Sequence, residues 1–396
     1  VPPTARARPN EPAPRQASRR ARDRRAGLKD VGSRSLVAVY WGAGGSAARI
    51  LLQFGTQVFL ARILGPEQYA LFAIGAIVVS FSNFFADVGI AYGLIQKKTV
   101  DAADVRFVLT WQFIVGTLVS LAVALAGRQI GAFFGNERAG AVVAALAPVC
   151  LLNALSAPAQ SLLKRELAFR QVQQAQVSAY VVGYILVGLP LALLGAQVWA
   201  LVCAWIVQAT VILVVSYAST RHALRPLLWF PGARGMFRFG FAVLATNLVN
   251  WFIGNIDRVV VGRMFAAREL GLYSVSYNVL STPTTTLMGI IQPVFFSAAA
   301  RVADDRPRIA ASYRALVGSV ALFVLPAFAG ICAVAHTFVL ALYGPGWVDG
   351  AAMFQPLALA MPIFLVWGLT TPLLWAGGAT ASEFRAQLPI AVLWAL

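Results

Sequence analysis

Residues 46–64, SAARILLQFGTQVFLARIL, have a counterpart 201 positions further on, NLVNWFIGNIDRVVVGRMF at 247–265. The turn and helix start that follow also correspond, GPEQYALFAIG (65–75) with AARELGLYSVS (266–276), so Arg62 falls on Arg263 and Leu71 on Leu272. With the offset drifting to 209 and then 215, AFFG (132–135) meets ALYG (341–344), and Phe169–Arg170 meets Phe384–Arg385. Each match is short, and their common order carries the weight. An offset of six spans preserves orientation, so the expectation is a parallel internal repeat: two six-helix lobes around a central cavity, related by an axis along the membrane normal.

The composition sets the class. Of 396 residues, 59% are hydrophobic and 12% charged, where a soluble domain carries about 25% charged residues. Apolar runs near 37–61, 68–95, 105–126, 139–163, 172–194, 197–218, 239–262, 270–297, 314–340 and 350–376 read as ten complete spans, and 386–396 as part of an eleventh. A span needs about 20 apolar residues, and the short alternating segments of a transmembrane barrel are absent. The fold class is therefore an all-α polytopic membrane protein. The repeat leaves span six without a partner, so the C-terminal lobe reads as truncated.

The formal net charge is +17, and ten of the 32 Lys and Arg lie in the first 36 residues. With Pro2, Pro3, Pro9, Pro12 and Pro14, residues 1–35 read as a disordered basic tail and not as a signal peptide. The N-lobe is assigned to 36–220, a linker to 221–238 and the C-lobe to 239–396. With the tail left out, the loops on its side of the membrane hold fourteen Lys and Arg against five on the other. That side is expected to be cytoplasmic, with Lys97 and Lys98 anchoring span two. Charge so placed serves topology, and no nucleic-acid partner is expected. Cys150, Cys203 and Cys332 sit in apolar runs without a pairing pattern.

Polar side chains are costly in a bilayer and face an interior or a wet cavity. In span one, Ser46, Arg49, Gln53, Thr56 and Gln57 recur at helical spacing; the same repeat positions of span seven carry Asn247, Asn250, Gly254, Asp257 and Arg258. Span two adds Ser80, Asn83 and Asp87, and span eight Ser281 and Thr284. Arg49, Gln53, Asn83, Asn247 and Asn250 are the cavity candidates. Asn83, Thr246 and Thr284 equally suit helix-to-helix hydrogen bonding. Asp257 and Arg258 read as a near-terminal ion pair. Asp87 is either a structural ion-pair partner or a site that takes up a coupling ion. Prolines 148, 158, 190, 283, 293, 326, 356, 362 and 372 break up the spans, in keeping with helices that bend.

No enzyme chemistry is legible. GAGGSAAR (42–49) lacks the Gly-Lys-Ser/Thr end of a phosphate loop, and His222 and His336 have no partners at metal spacing. No metal and no cofactor is expected.

ARILGPEQYALFAIG (61–75), FFADVGIAYGLIQKKTVDAADV (84–105), LLKRELAFRQ (162–171) and RFGFAVLATNLVNWFIGNIDRVVVGRMFAARELGLYSVSYNV (238–279) together resemble the polysaccharide flippases of the multidrug/oligosaccharidyl-lipid/polysaccharide exporter superfamily. The likeness is closest at the Asp-x-Gly followed by Gln-Lys and at the Asn-x-Asp run ending in Gly-Arg. It implies a multi-pass inner-membrane protein with a cytoplasmic N-terminus. By alternating access it would move an undecaprenyl-pyrophosphate-linked oligosaccharide to the outer leaflet, with proton or sodium coupling and with other polysaccharide-assembly membrane proteins as partners. On that reading Arg49 contacts the pyrophosphate, Gln53, Asn83, Asn247 and Asn250 contact sugars, and Asp87 is the coupling candidate. A multidrug/cation antiporter, a peptidoglycan-precursor flippase and a non-transporting scaffold of a glycan-synthesis complex are the alternatives.

Overall fold

The structure is a computed structural model that describes residues 50–85, 90, 91, 94, 97, 99–230, 233–300 and 306–370. Among them every regular element is helical. Helix α1, Ile50–Phe85, is not straight. The Tyr69 hydroxyl donates to the Gln57 carbonyl at 3.3 Å, although twelve residues of straight helix would hold them about 18 Å apart. The chain folds back at Gly65, whose φ of +74° suits a residue without Cβ. The two arms are the first two expected spans.

Helices α2 (Ala102–Phe133), α3 (Glu137–Arg165), α4 (Phe169–Leu193) and α5 (Val198–Thr220) follow, then α6 (Ala233–Met264), α7 (Ala267–Ala300) and α8 (Arg306–Ala333). Helix α9 (Ala335–Tyr343), a 3₁₀ turn (Pro345–Gly350) and α10 (Ala351–Gly368) complete the described chain. Among the described residues, seven segments are long and apolar enough to cross a membrane: α1 to α5, Ala310–Ala333 of α8, and Pro345–Gly368. At about 1.5 Å per residue, the 32 residues of α6 and the 34 of α7 also exceed a bilayer's hydrocarbon core.

In lipid, helices associate by close packing rather than by excluding water, so small residues sit where backbones meet. Gly127 and Gly131 of α2 face Gly140 of α3, and a Cβ on Gly127 would lie 2.7 Å from the Gly140 carbonyl oxygen. Gly116 meets Ala154 further along the same pair. Helix α3 starts on the Asn136 side chain, which accepts from the Arg138 and Ala139 amides, and ends with Lys164 and Arg165 against its dipole.

The bundle has two ends. One carries the Gly65, Gly135 and Gly195 turns and the α9–α10 junction; we call it the turn end. Here the two halves of the chain are joined. The Trp347 indole donates to the Ala61 carbonyl at 3.0 Å, Arg62 donates to the carbonyls of Ala341 and Leu342, and the Tyr69 and Trp347 rings meet edge to face. A Cβ on Gly271 would fall 2.0 Å from the Pro66 carbonyl oxygen.

The other end is basic. Lys97 pairs at 2.6 Å with buried Asp104, whose carboxylate also accepts from the Asp101 amide that opens α2. Arg165 donates to the Leu94 and Lys97 carbonyls, tying α3 to the same corner. The linker is laid along α2. Arg106 donates to the carbonyls of Arg225 and Pro226, the Trp111 indole to Leu228, and the Leu227 amide to Thr110 Oγ1.

The structure alters several sequence expectations. Helix α6 starts at Ala233, within the stretch assigned to the linker. Span nine, expected whole over 314–340, is split at Val334 between α8 and α9. The chain stays helical through Pro148, Pro158, Pro326, Pro356 and Pro362. The distorted turn lies instead in α4, where Val181–Gly188 widens to a π-helix just ahead of Pro190. Proline has no N–H for the carbonyl four residues back and its ring crowds it, and a wider turn relieves both. The 1–35 tail and span eleven lie outside the described residues.

Candidate functional site

Between the two halves, below the closed turn end, lies a cavity of about 310 Å³. Five helices line it: apolar side chains come from the returning arm of α1 and from Leu201 of α5, and the polar ones from four places. The first arm of α1 contributes Gln53 and Gln57, α4 contributes Tyr180 and Tyr184, α6 contributes Arg258, and α7 contributes Ser274, Asn278, Ser281 and Thr282. The spacing on α7 is i, i+4, i+7, i+8, one helical face. Tyr180 and Tyr184 project from either side of the start of the π-helix; their rings stack 4.8 Å apart, and the Tyr180 hydroxyl donates to the Gln53 carbonyl at 3.4 Å.

Asp257 and Arg258 do not pair with each other; they are adjacent on a helix, where successive side chains diverge. The Tyr273 hydroxyl donates to Asp257 Oδ2 at 2.5 Å, while Asp257 Oδ1 is buried without a partner among the described residues. Arg258 lies over the Tyr277 ring, 4.1 Å from its centroid, and its Nε is likewise buried and unpartnered. A guanidinium held on an aromatic face is fixed in place with its charge intact. Asp257 therefore braces α7, and Arg258 is the cavity's cation.

The other candidates are distributed differently. Gln53 lines the cavity. The Asn83 carboxamide accepts from Asn153 of α3 at 3.3 Å, a bond within the N-terminal half. Asn247 is half-buried on α6 and is not among the lining residues. Arg49, Asp87 and the side chain of Asn250 lie outside the described residues. Thr284 is fully buried and donates to its own helix at Leu280.

Sequence reasoning passed over Tyr180, Tyr184, Asn278 and Thr282. For α7 the signal was present: Ser274, Asn278 and Thr282 share the helical face of Ser281, which the sequence had already placed in span eight's polar stripe. For the tyrosines it was not, because a π-turn shifts the helical phase. Chemically, the lining offers amides and hydroxyls that both donate and accept, one planar anion-seeking fork in Arg258, and no carboxylate among the described lining residues. Such a set suits a polyhydroxylated or anionic guest.

The family described as polysaccharide biosynthesis protein matches residues 59–352. The chain is 25% identical over 313 residues to the lipopolysaccharide biosynthesis protein WzxC of Escherichia coli, covering 78% of this chain and 63% of that protein. It thus spans less than two thirds of that relative's length. It is 24% identical over 346 residues to the succinoglycan biosynthesis transport protein ExoT of Rhizobium meliloti, covering 87% and 70% respectively. Among solved structures, its fold is similar to the lipid II flippase MurJ in an inward closed conformation (TM-score 0.67, 12% identity, 89% of this chain and 79% of that one). It is also similar to an inward-facing multidrug resistance MATE transporter of the MOP superfamily (TM-score 0.62, 12% identity, 87% and 84%).

Proposed function

The chain belongs to the polysaccharide biosynthesis protein family, and from that premise we propose that it is a flippase moving an undecaprenyl-pyrophosphate-linked oligosaccharide across the cell membrane for surface polysaccharide export. The observation that carries this reading is the polar cavity with Arg258 at its wall, enclosed between two halves that meet at the turn end. Arg258 takes the pyrophosphate through bidentate hydrogen bonds. Gln53, Gln57 and Asn278 hydrogen-bond the sugars, and the Tyr180–Tyr184 stack offers a flat face to a sugar ring. Arg49, which the repeat aligns with Asn250, is the second cation proposed for the pyrophosphate.

On this reading the basic end faces the cytoplasm, where the positive-inside bias puts it, and the lobes rock about the repeat axis. The approach of Gly271 to Ala70, positions 201 residues apart, supports that axis, since a two-fold brings equivalent residues together beside it. Asp87 is the site proposed for proton or sodium coupling, and other glycan-assembly proteins are the proposed neighbours. A cation antiporter would place a carboxylate in the cavity wall; here the charge is positive.

The test is protection of a labelled undecaprenyl-pyrophosphate oligosaccharide from an external glycan-modifying enzyme, in liposomes holding the full-length protein. Wild type should expose the glycan, and Arg258→Ala should slow exposure by about 10–100-fold, the worth of a charged hydrogen bond. Equal rates in the two would remove Arg258 from the site. Failure with every lipid-linked glycan tried would overturn the function.

A further inference from the structure

A second cavity, about 700 Å³, lies between the halves on the far side of the returning arm of α1. Its floor is Ile77, Phe81 and Phe85; its walls are α2 and the stretch of α6 from Trp251 to Val259. Apart from Ser82 and Gln129, every lining side chain is apolar. Helices α2 and α6 touch at both ends of the groove and part between them. Towards the basic end Phe237 packs edge-on against Phe107 and Trp111. Towards the turn end Phe134 lies against Gly262, and Arg263 sits over the Phe133 ring. The result is a side window at membrane depth with exposed Phe81, Phe133 and Phe252 at its rim.

Ile77 lines both this groove and the polar cavity. One side chain thus separates a compartment for hydroxyls and phosphate from a compartment for hydrocarbon, which is the division found within a single glycolipid. The window is closed towards both membrane surfaces and open sideways, so it admits a chain running at mid-depth. Its walls hold position: the Trp251 indole donates to Ser80 Oγ at 2.9 Å, and its ring packs on Phe81 at 4.8 Å. At this volume it falls within the range of pockets that hold drug-sized ligands, about 300–1,000 Å³.

We infer that the groove between α2 and α6 binds part of the isoprenoid chain of the lipid carrier while the glycan and phosphates occupy the polar cavity. The inference rests on the flippase reading for its choice of lipid, and the following experiment separates the two. The full-length protein, in nanodiscs of phosphatidylethanolamine and phosphatidylglycerol, carries a photoreactive phenylalanine at position 252. It is irradiated with radiolabelled undecaprenyl phosphate, which bears no sugar. Labelling should occur, and excess unlabelled undecaprenyl phosphate should suppress it where excess phosphatidylglycerol does not. Ala122→Trp, which fills the groove from its lipid-facing wall, should cut labelling by about tenfold, the worth of roughly two buried methylene groups.

Suppression by phosphatidylglycerol to the same degree, or labelling unchanged by Ala122→Trp in normally folded protein, would overturn the inference and leave an ordinary lipid-filled groove. Absence of labelling in protein that still exposes glycan in the leaflet assay would overturn it and spare the flippase reading. Carrier-specific labelling in protein that moves no lipid-linked glycan would uphold the groove and sink that reading.

Discussion

Arg258 carries the site because its neighbours hold it without neutralising it. Tyr277 supports the guanidinium face, and Asp257 is turned away to Tyr273. Arg258→Lys keeps the charge and loses the planar fork, so transport should recover only partly relative to Arg258→Ala; full recovery would reduce the role to a point charge. His222 makes a different prediction. Its Nδ1 lies 2.9 Å from Thr220 Oγ1, its Nε2 is buried without a described partner, and burial pushes its pKa below the usual value. The folded protein thus favours the neutral ring. The stabilisation is present above the unfolded value of about 6.5 and is lost as pH falls through the lowered folded pKa. Protection factors for amide exchange over 221–230, corrected for the fall of the intrinsic rate with pH, should decrease between pH 7.5 and 5, and His222→Phe should flatten that dependence.

Helices here are positioned by what their smallest residues allow. Gly271 lets α7 reach the Gly65 turn so closely that any Cβ would meet backbone rather than a movable side chain. Gly271→Ala should destabilise the protein by about 1–3 kcal/mol through overpacking, read as a lower melting temperature in detergent. Gly289→Ala on the same helix, with open space around the new methyl, is the control and should leave it unchanged. The π-turn of α4 has a comparable cause in Pro190, and it is what turns Tyr180 and Tyr184 towards the same cavity.

Across the protein, the halves are latched at the turn end by Arg62, Trp347 and the Gly271 contact, and below it the cavity lies between them. Removing the latch should favour opening at that end. In Arg62→Ala/Trp347→Phe, a cysteine placed at Ser274 should react with an impermeant thiol reagent from the turn side at least severalfold faster than in the unmutated background. Equal rates would mean that the latch does not hold the closed state. The basic end has its own ties: Lys97–Asp104 lies within the N-terminal half, and the linker is bonded along α2.

What the amino-acid sequence determined by itself is the all-helical, membrane-spanning character of the chain. Hydropathy needs only a run of apolar residues, and the polar stripe of Gln53 and Gln57 obeys a period set by the helix alone. The GxxxG spacing of Gly127 and Gly131 acquires its meaning only where α2 meets Gly140 of α3. Tertiary structure decided which polar residues share a space. Asn83 and Gln53 look alike in a stripe, yet one bonds a neighbour in its own half and the other lines the cavity. Asp257 and Arg258 are adjacent in sequence and part company because a helix turns successive side chains about 100°. Local rules specify where a helix runs and which face is polar; the rotation of that face towards a partner depends on contacts made far along the chain.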